Sequence, residues 1–408
     1  MKIKLRNILL WCVLFTLNIY AQNPQKKVLF VGNSMTYFND MPLLFGDIAN
    51  SKGKTVDAQS YTVGGSGFIN HVVDNNLYSV FRNTIWDVVV LQPGTGESAG
   101  TTSSVNATIQ RGQILMDSIK KYSPCARVML YQIPYGVPSA ETYNTYFTVQ
   151  TQIRDSITKM ADSLHVPFVP TGECARMHYT AQQDLLLHGS YNDIHPNLNG
   201  SYLVASAMYA AIFQEPVSGT TSYGGIPQAT AEYFHNIVDQ VVLPNKAQWR
   251  INTYNLHANF NAVVNTNSIT FINNSTNFTS VEWDFGDATT STEINPTHTF
   301  SSGGIKTIKL KVIQNNCEEI IEKQIDLDVL GVSDFQKTSF LMYPNPVNSV
   351  LSISCPSASS VSIVNSIGQK IYINSEKKTA WQINVSTFSD GIYFIIFDNQ
   401  SVHKFVKN

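Results

Sequence analysis

The sequence predicts a multidomain protein: an α/β domain with a parallel sheet and helices on both faces, followed by two all-β modules. Three observations lead there. Between residues 27 and about 213, short continuous apolar runs alternate with segments of helical spacing. Beyond residue 255 the helical period disappears. In its place, β-rich runs alternate with Asn, Ser, Thr and Gly turns, as in "AVVNTNSITFINNS" and "GGIKTIKLKVIQNN".

The first 22 residues read as a secretory signal. Lys2, Lys4 and Arg6 form a basic start, Ile8 to Ile19 is mainly apolar, and the small residue Ala21 marks the expected cut. That apolar run is shorter than the ~20 residues a spanning helix needs, so no transmembrane segment is expected after cleavage. Trp11 stands where a lipoprotein signal at Cys12 would have a small residue, which disfavours a lipid anchor.

The α/β domain is expected over residues 23–245. Its strands are "KVLFVG", the nearly all-apolar stretch from Trp86 to Leu91, "ARVMLYQIP" and "VPFVPTGE". Such runs lack alternation because both faces of each strand are covered. Between and after them, "TIQRGQILMDSIKKY", "VQTQIRDSITKMADSLH" and "GSYLVASAMYAAIF" have helical spacing. A further helix is expected from about Thr230 to Val242, with "LPNKAQWRIN" as the exit from the domain. Residues 256–330 read as a small β-sandwich, 331–340 as a linker, and 341–408 as a second short β unit.

Composition narrows the function. The formal net charge of −2, from 27 basic and 29 acidic residues, gives no attraction to nucleic acid or an anionic membrane. Four of the cysteines follow the signal: Cys125, Cys174, Cys317 and Cys355, too few in this length for a disulfide scaffold. Cys125 and Cys174 fall in one domain, either as a pair or as separate small core residues. With no C-x-x-C or H-E-x-x-H spacing, neither a metal nor a cofactor is expected.

Four stretches carry chemistry. In "VLFVGNSMTYFNDMP", Val28 to Pro42, a buried-looking strand runs into Gly-Asn-Ser and places the hydroxyl of Ser34 at its end. "TVGGSGFINH" is a glycine-rich turn, "WDVVVLQPG" ends a strand in Leu91-Gln92, and "YNDIHPNLNGSYLVA" sets His195 before a small-residue helix. Together, and in this order, they resemble the blocks of the SGNH hydrolase superfamily, the GDSL esterases, whose fold is flavodoxin-like. The resemblance implies Ser34 as nucleophile and His195 as general base. It also implies an oxyanion hole from the backbone N–H groups of Ser34 and Gly65 and the side chain of Gln92. The family's usual Gly-x-Asn-Asp is replaced by the Leu-Gln ending of one branch. The family's acid, three residues before the histidine, falls here on Asn192, with Asp193 one residue on. Either Asn192 orients a Ser-His pair, the reading that the spacing favours, or the loop shifts and Asp193 reaches the imidazole.

"VEWDFGD", Val281 to Asp287, followed by "NPTHTF", resembles the PKD domain, an immunoglobulin-like sandwich. Trp283 and Phe285 are expected in its core, and Asp284 and Asp287 as structural residues. "YPNPVNSVLSI", "IVNSIGQKI" and "FSDGIYFI" resemble the type A sorting domain of the type IX secretion system, which implies that machinery as partner and a secreted or surface-attached product. The combined expectation is a secreted serine esterase acting on acetylated carbohydrate, with a lipase or arylesterase as neighbouring activities. The alternative is an inactive surface protein that binds glycan through the hydrolase-like and PKD domains.

Overall fold

The structure, a computed structural model, describes residues 25–264, 268–327, 341–365, 369–397 and 402–408. The expected signal and linker, and with the signal the Cys12 at which a lipid anchor is disfavoured, lie outside the described residues. Contacts divide the chain into two compact units. One comprises Met1–Asn259, Asn274–Glu282 and Leu310–Ile321, the other Phe260–Asn273, Trp283–Lys309 and Glu322–Asn408.

The first unit is built on β1 (Lys26–Gly32), β2 (Val56–Thr62), β3 (Val88–Leu91), β4 (Arg127–Tyr131) and β5 (Phe168–Val169). They form a parallel sheet in the order β2-β1-β3-β4-β5, with Val28 beside Ala58 on one neighbour and Val88 on the other. Residues 28–31 and 88–91 are at most 1% exposed. Strands covered on both faces need no alternation, which is why their sequences are continuous apolar runs.

β2 is a strand that the apolar-run signal misses. Its sequence, "VDAQSYT", is polar and only half-buried because it forms the edge of the sheet. The chain passes from β1 out to β2 and then returns to β3 on the other flank of β1. This reversal leaves a crevice beyond the carboxyl ends of β1 and β3, where open α/β sheets bind ligands.

The helices are α1 (Ser34–Tyr37) and α2 (Met41–Ser51) after β1, and α3 (Phe68–His71) and α4 (Asn75–Asn83) after β2. α5 (Thr95–Ser98) and α6 (Val105–Tyr122) follow β3, and α7 (Tyr143–Leu164) follows β4. Last come α8 (Thr171–Ala181), α9 (Leu198–Phe213) and α10 (Gln228–Val242). α9 is buried almost all round, from Gly200 to Ile212, so its small residues let α2, α8 and α10 pack closely on it. The core continues past the expected exit at residue 245. Trp249 and Ile251 are buried in it, and the Trp249 carbonyl accepts the Phe168 N–H at 3.0 Å, prolonging the bonding of β5.

Cys125 does not pair with Cys174. It forms a disulfide with Cys317, inside the same unit, while Cys174 is a buried free thiol on α8. Sequence separation of 192 residues hid this partner.

Seven strands follow: β6 (Phe260–Val264), β7 (Ile269–Asn273), β8 (Ser280–Asp284), β9 (Thr290–Ser291), β10 (Thr297–His298), β11 (Ile305–Gln314) and β12 (Cys317–Asp326). They make two sheets, ordered β10-β7-β6 and β12-β11-β8-β9. Trp283 and Phe285 are buried, lie parallel to each other and pack at a tilt against Phe271. Asp284 accepts the Gly286 N–H at 2.9 Å, and Asp287 takes the Thr289 N–H and the His298 ring, so both carboxylates serve the turn. The last sheet contains β13 (Leu341–Tyr343), β14 (Val350–Asn365), β15 (Lys370–Asn384), β16 (Gly391–Phe397) and β17 (Val402–Lys407), all paired antiparallel.

Because the disulfide closes so long a loop, removing it frees much chain entropy in the unfolded state. Cys125→Ser should lower unfolding stability by about 2–5 kcal/mol in urea titrations. Cys174→Ser should leave the disulfide intact by non-reducing mass analysis. Equal urea midpoints for wild type and Cys125→Ser would contradict this assignment.

Candidate active site

Ser34 stands where strand gives way to helix. Asn33 is extended (φ −134°, ψ −151°), and its side chain caps α1 by accepting the Met35 N–H at 3.0 Å. The cap starts the helix abruptly, so Ser34 sits at the end of β1 with only 9% of its surface exposed. A serine on so short a transition between two rigid elements has little freedom to move.

His195 arrives from the loop before α9. Its Nε2 lies 2.9 Å from Ser34 Oγ, and its Nδ1 lies 2.8 Å from Asp193 Oδ1. A carboxylate can only accept, so Nδ1 carries the proton and Nε2 offers its lone pair to the serine hydroxyl. The Phe38 ring stacks on the imidazole at 4.3 Å and 15°. The arrangement has the connectivity of a Ser-His-Asp triad.

The acid position differs from the spacing-based expectation. Asn192 adopts a left-handed conformation (φ 60°), and its N–H donates to Val137 O at 2.8 Å. That turn swings the chain so that Asp193, not the exposed Asn192, stands beside the ring. Asp193 Oδ1 also accepts the His195 backbone N–H at 2.9 Å. This backbone bond, followed by the imidazole contact, holds the Asp193 carboxyl below its usual range. The carboxylate therefore stays ionised through neutral pH, ready to stabilise a protonated imidazole.

Neighbouring segments brace the histidine loop. Asn39, itself left-handed (φ 54°) after Phe38, donates from Nδ2 to Pro196 O at 3.0 Å and Ser201 Oγ at 2.9 Å. Asn197 caps α9 through Gly200 N at 3.1 Å. Gly136 meets the backbone of residues 193 and 194 so closely that a Cβ would have no room.

Of the expected oxyanion donors, Ser34 and Gly65 keep backbone N–H groups that take no acceptor among the described residues. Gly65 uses the positive φ (71°) that a side chain disfavours, and its loop is tied to the nucleophile turn by Asn33 Nδ2 donating to Ser66 O at 2.7 Å.

Gln92 does not supply the third donor. It is fully buried, and Nε2 donates to Asn33 Oδ1 at 2.8 Å and Pro93 O at 3.3 Å. Its Oε1 accepts the Asn33 N–H at 3.1 Å and the Thr36 hydroxyl at 2.6 Å. The backbone donor fixes which end of the amide is oxygen. Gln92 therefore welds β3 to the Ser34 turn. Sequence reasoning missed Asn33, Phe38 and Asn39. Asn33 alone left a signal, as a capping residue type one position before a helix.

A second histidine lies close below the loop. His188 bridges to Pro196, and its Nδ1 is 2.5 Å from the Tyr179 hydroxyl. Burial pushes its pKa down to about 4. The folded form therefore resists a proton that the unfolded chain takes up near its ordinary value of 6.5. This contribution to stability is whole above about pH 6.5 and is lost as the pH falls toward 4, on the order of 3 kcal/mol in total. His188→Gln should flatten the loss of stability between pH 7 and 4.5, measured by urea titration. An unchanged pH slope would contradict the assignment.

Comparisons agree with this architecture in parts. Residues 257–326 match the family model of the PKD domain, and residues 341–408 match that of the secretion system C-terminal sorting domain. A search of curated proteins finds no match. Similar solved structures include a DUF4886 family protein from Bacteroides uniformis, 17% identical with a TM-score of 0.46, over 54% of this chain and 95% of that one. A putative SGNH hydrolase from Slackia heliotrinireducens is 18% identical with a TM-score of 0.37, over 45% of this chain and 97% of that one. A putative GDSL-like lipase from Parabacteroides merdae is 16% identical with a TM-score of 0.38, over 48% and 99%. Among the described residues no helix is long and apolar enough to cross a membrane. The sorting domain indicates type IX export, so the protein is secreted or surface-attached and engages that machinery. The chain thus has three parts: an α/β unit similar to SGNH hydrolase structures, a PKD domain and a sorting domain.

Proposed function

We propose that this protein is a secreted serine esterase of the SGNH type, with residues 23–245 as the core of its hydrolase domain and acetyl esters of carbohydrate as its substrates. The observation that carries the reading is the continuous chain Ser34 Oγ, His195 Nε2, His195 Nδ1, Asp193 Oδ1, at 2.9 and 2.8 Å. Serine is a weak nucleophile until a base within hydrogen-bond reach accepts its proton.

In the proposed reaction Ser34 Oγ attacks the ester carbonyl as its proton passes to His195 Nε2. Asp193 stabilises the imidazolium without taking the proton. The negative charge on the carbonyl oxygen meets the N–H groups of Ser34 and Gly65. The tetrahedral adduct then breaks its bond to the alcohol oxygen, which leaves with the proton from His195. Water, deprotonated by the same imidazole, releases the acid and restores Ser34.

A carbohydrate substrate is supported by context and by one surface feature. Export is joined to an accessory PKD module. Tyr37, 40% exposed, stacks on Phe38, which stacks on His195, so a ring series runs from the base to solvent. An exposed tyrosine face there suits the apolar face of a sugar.

The test is hydrolysis of p-nitrophenyl acetate by the full chain after signal removal, beside Ser34→Ala. The variant's kcat should fall by at least about 10³-fold. Acetate release from an acetylated oligosaccharide should depend on Ser34 in the same way. Equal rates in the two proteins would overturn the esterase reading and leave a glycan-binding surface protein.

A further inference from the structure

Glu97 is a carboxylate with 2% of its surface exposed, on α5 just beyond β3, and it touches no catalytic side chain. Its Oε2 accepts the Phe68 N–H at 2.6 Å and the Gly94 N–H at 3.0 Å. Its Oε1 accepts the Ile69 N–H at 3.1 Å and Arg111 Nη1 at 3.0 Å. One buried side chain thus joins the start of α3, which follows the loop after β2, to the loop after β3. The two loops touch at their glycines, where a Cβ on Gly67 would lie 2.8 Å from the Gly94 backbone.

The loop after β2 is the one that carries Gly65. It is tied at Val63, whose N–H donates to Gly32 O at 3.2 Å, at Ser66, which accepts from Asn33 Nδ2, and at the start of α3, where Glu97 accepts from Phe68 and Ile69 and His71 Nε2 lies 3.2 Å from Gly32 O. With the Gln92 side chain committed to Asn33 and Thr36, the expected third donor is engaged elsewhere, so the direction of the Gly65 N–H matters more. A buried carboxylate is costly to keep. Its four partners here are the backbone N–H groups of Phe68 and Ile69 at the start of α3, that of Gly94 in the loop after β3, and one guanidinium.

We infer that Glu97 is a positioning residue for the oxyanion hole, holding the Gly65 loop at the register in which its N–H meets the developing charge. The inference rests on the esterase reading. Glu97 makes no contact with substrate in this role. It acts through Phe68 and Ile69 on Gly65, three residues upstream of Phe68.

The experiment measures kcat, KM and the Ki of a boronic acid that forms a tetrahedral adduct on Ser34, in the full chain carrying Glu97→Gln. Glutamine presents an N–H₂ where the loops present N–H donors, so it cannot accept at both ends. The expected result is a kcat lowered about 10- to 100-fold, within the range for a weakened oxyanion donor. KM should stay within about twofold, and Ki should rise by the same factor as kcat/KM falls. A lower melting temperature with kcat and Ki unchanged would overturn the inference and leave Glu97 as a structural cap. If Glu97→Gln does not fold, Glu97→Asp takes its place: its shorter carboxylate cannot span both loops, and unchanged kcat and Ki in it would equally overturn the inference. Ser34→Ala, run in parallel, separates the two levels. An inactive Ser34→Ala beside a fully active Glu97 variant removes only the positioning role, whereas wild type no faster than Ser34→Ala removes the esterase reading itself.

Discussion

Two buried amides, Asn33 and Gln92, exchange hydrogen bonds across the carboxyl ends of β1 and β3, and the position of Ser34 depends on that exchange. Gln92 holds the Asn33 backbone with its oxygen and the Asn33 side chain with its nitrogen. The oriented Asn33 side chain can then cap α1 with its oxygen and hold Ser66 with its nitrogen. The Ser34 turn, the Gly65 loop and strand β3 are thereby fastened at one point. Losing either partner would strand several buried polar groups, each costing about 1–3 kcal/mol. Full satisfaction of such a network is what makes it rigid.

His195 is held by different means. Its loop is long in sequence but short of slack, because backbone contacts fix it on both sides. Val137 takes the Asn192 N–H, Leu187 takes the Asn197 N–H, and Asn39 reaches Pro196. The left-handed residues at Asn192 and Asn39 are costly conformations, and asparagine tolerates them better than most. Local backbone strain beside the site is thus tied to the placement of Asp193 and Phe38 around one imidazole.

The sequence made some of this legible. The parallel sheet could be read because strands covered on both faces appear as uninterrupted apolar runs, and Ser34 and His195 stood at the ends of recognisable elements. Edge strand β2 escaped because none of its residues is fully buried, and a partly covered edge loses that signature. The acid could not be chosen by counting, since a single left-handed residue changes which neighbour faces the ring. Gln92 was legible as a polar strand end but not as a partner of the Ser34 turn, because Asn33 and Thr36, with which it bonds there, lie 59 and 56 residues away. Glu97 left no sequence signal, and Cys317 lay in what composition alone assigned to another module.

The central claim is that Ser34 is a nucleophile activated by His195. The most direct measurement is labelling of the intact protein with a fluorophosphonate, with the adduct mapped by peptide mass spectrometry in wild type and His195→Ala. The account predicts a single adduct on Ser34 in wild type and a strongly slowed reaction without the imidazole. No adduct, an adduct on another residue, or equal labelling rates in the two proteins would contradict it.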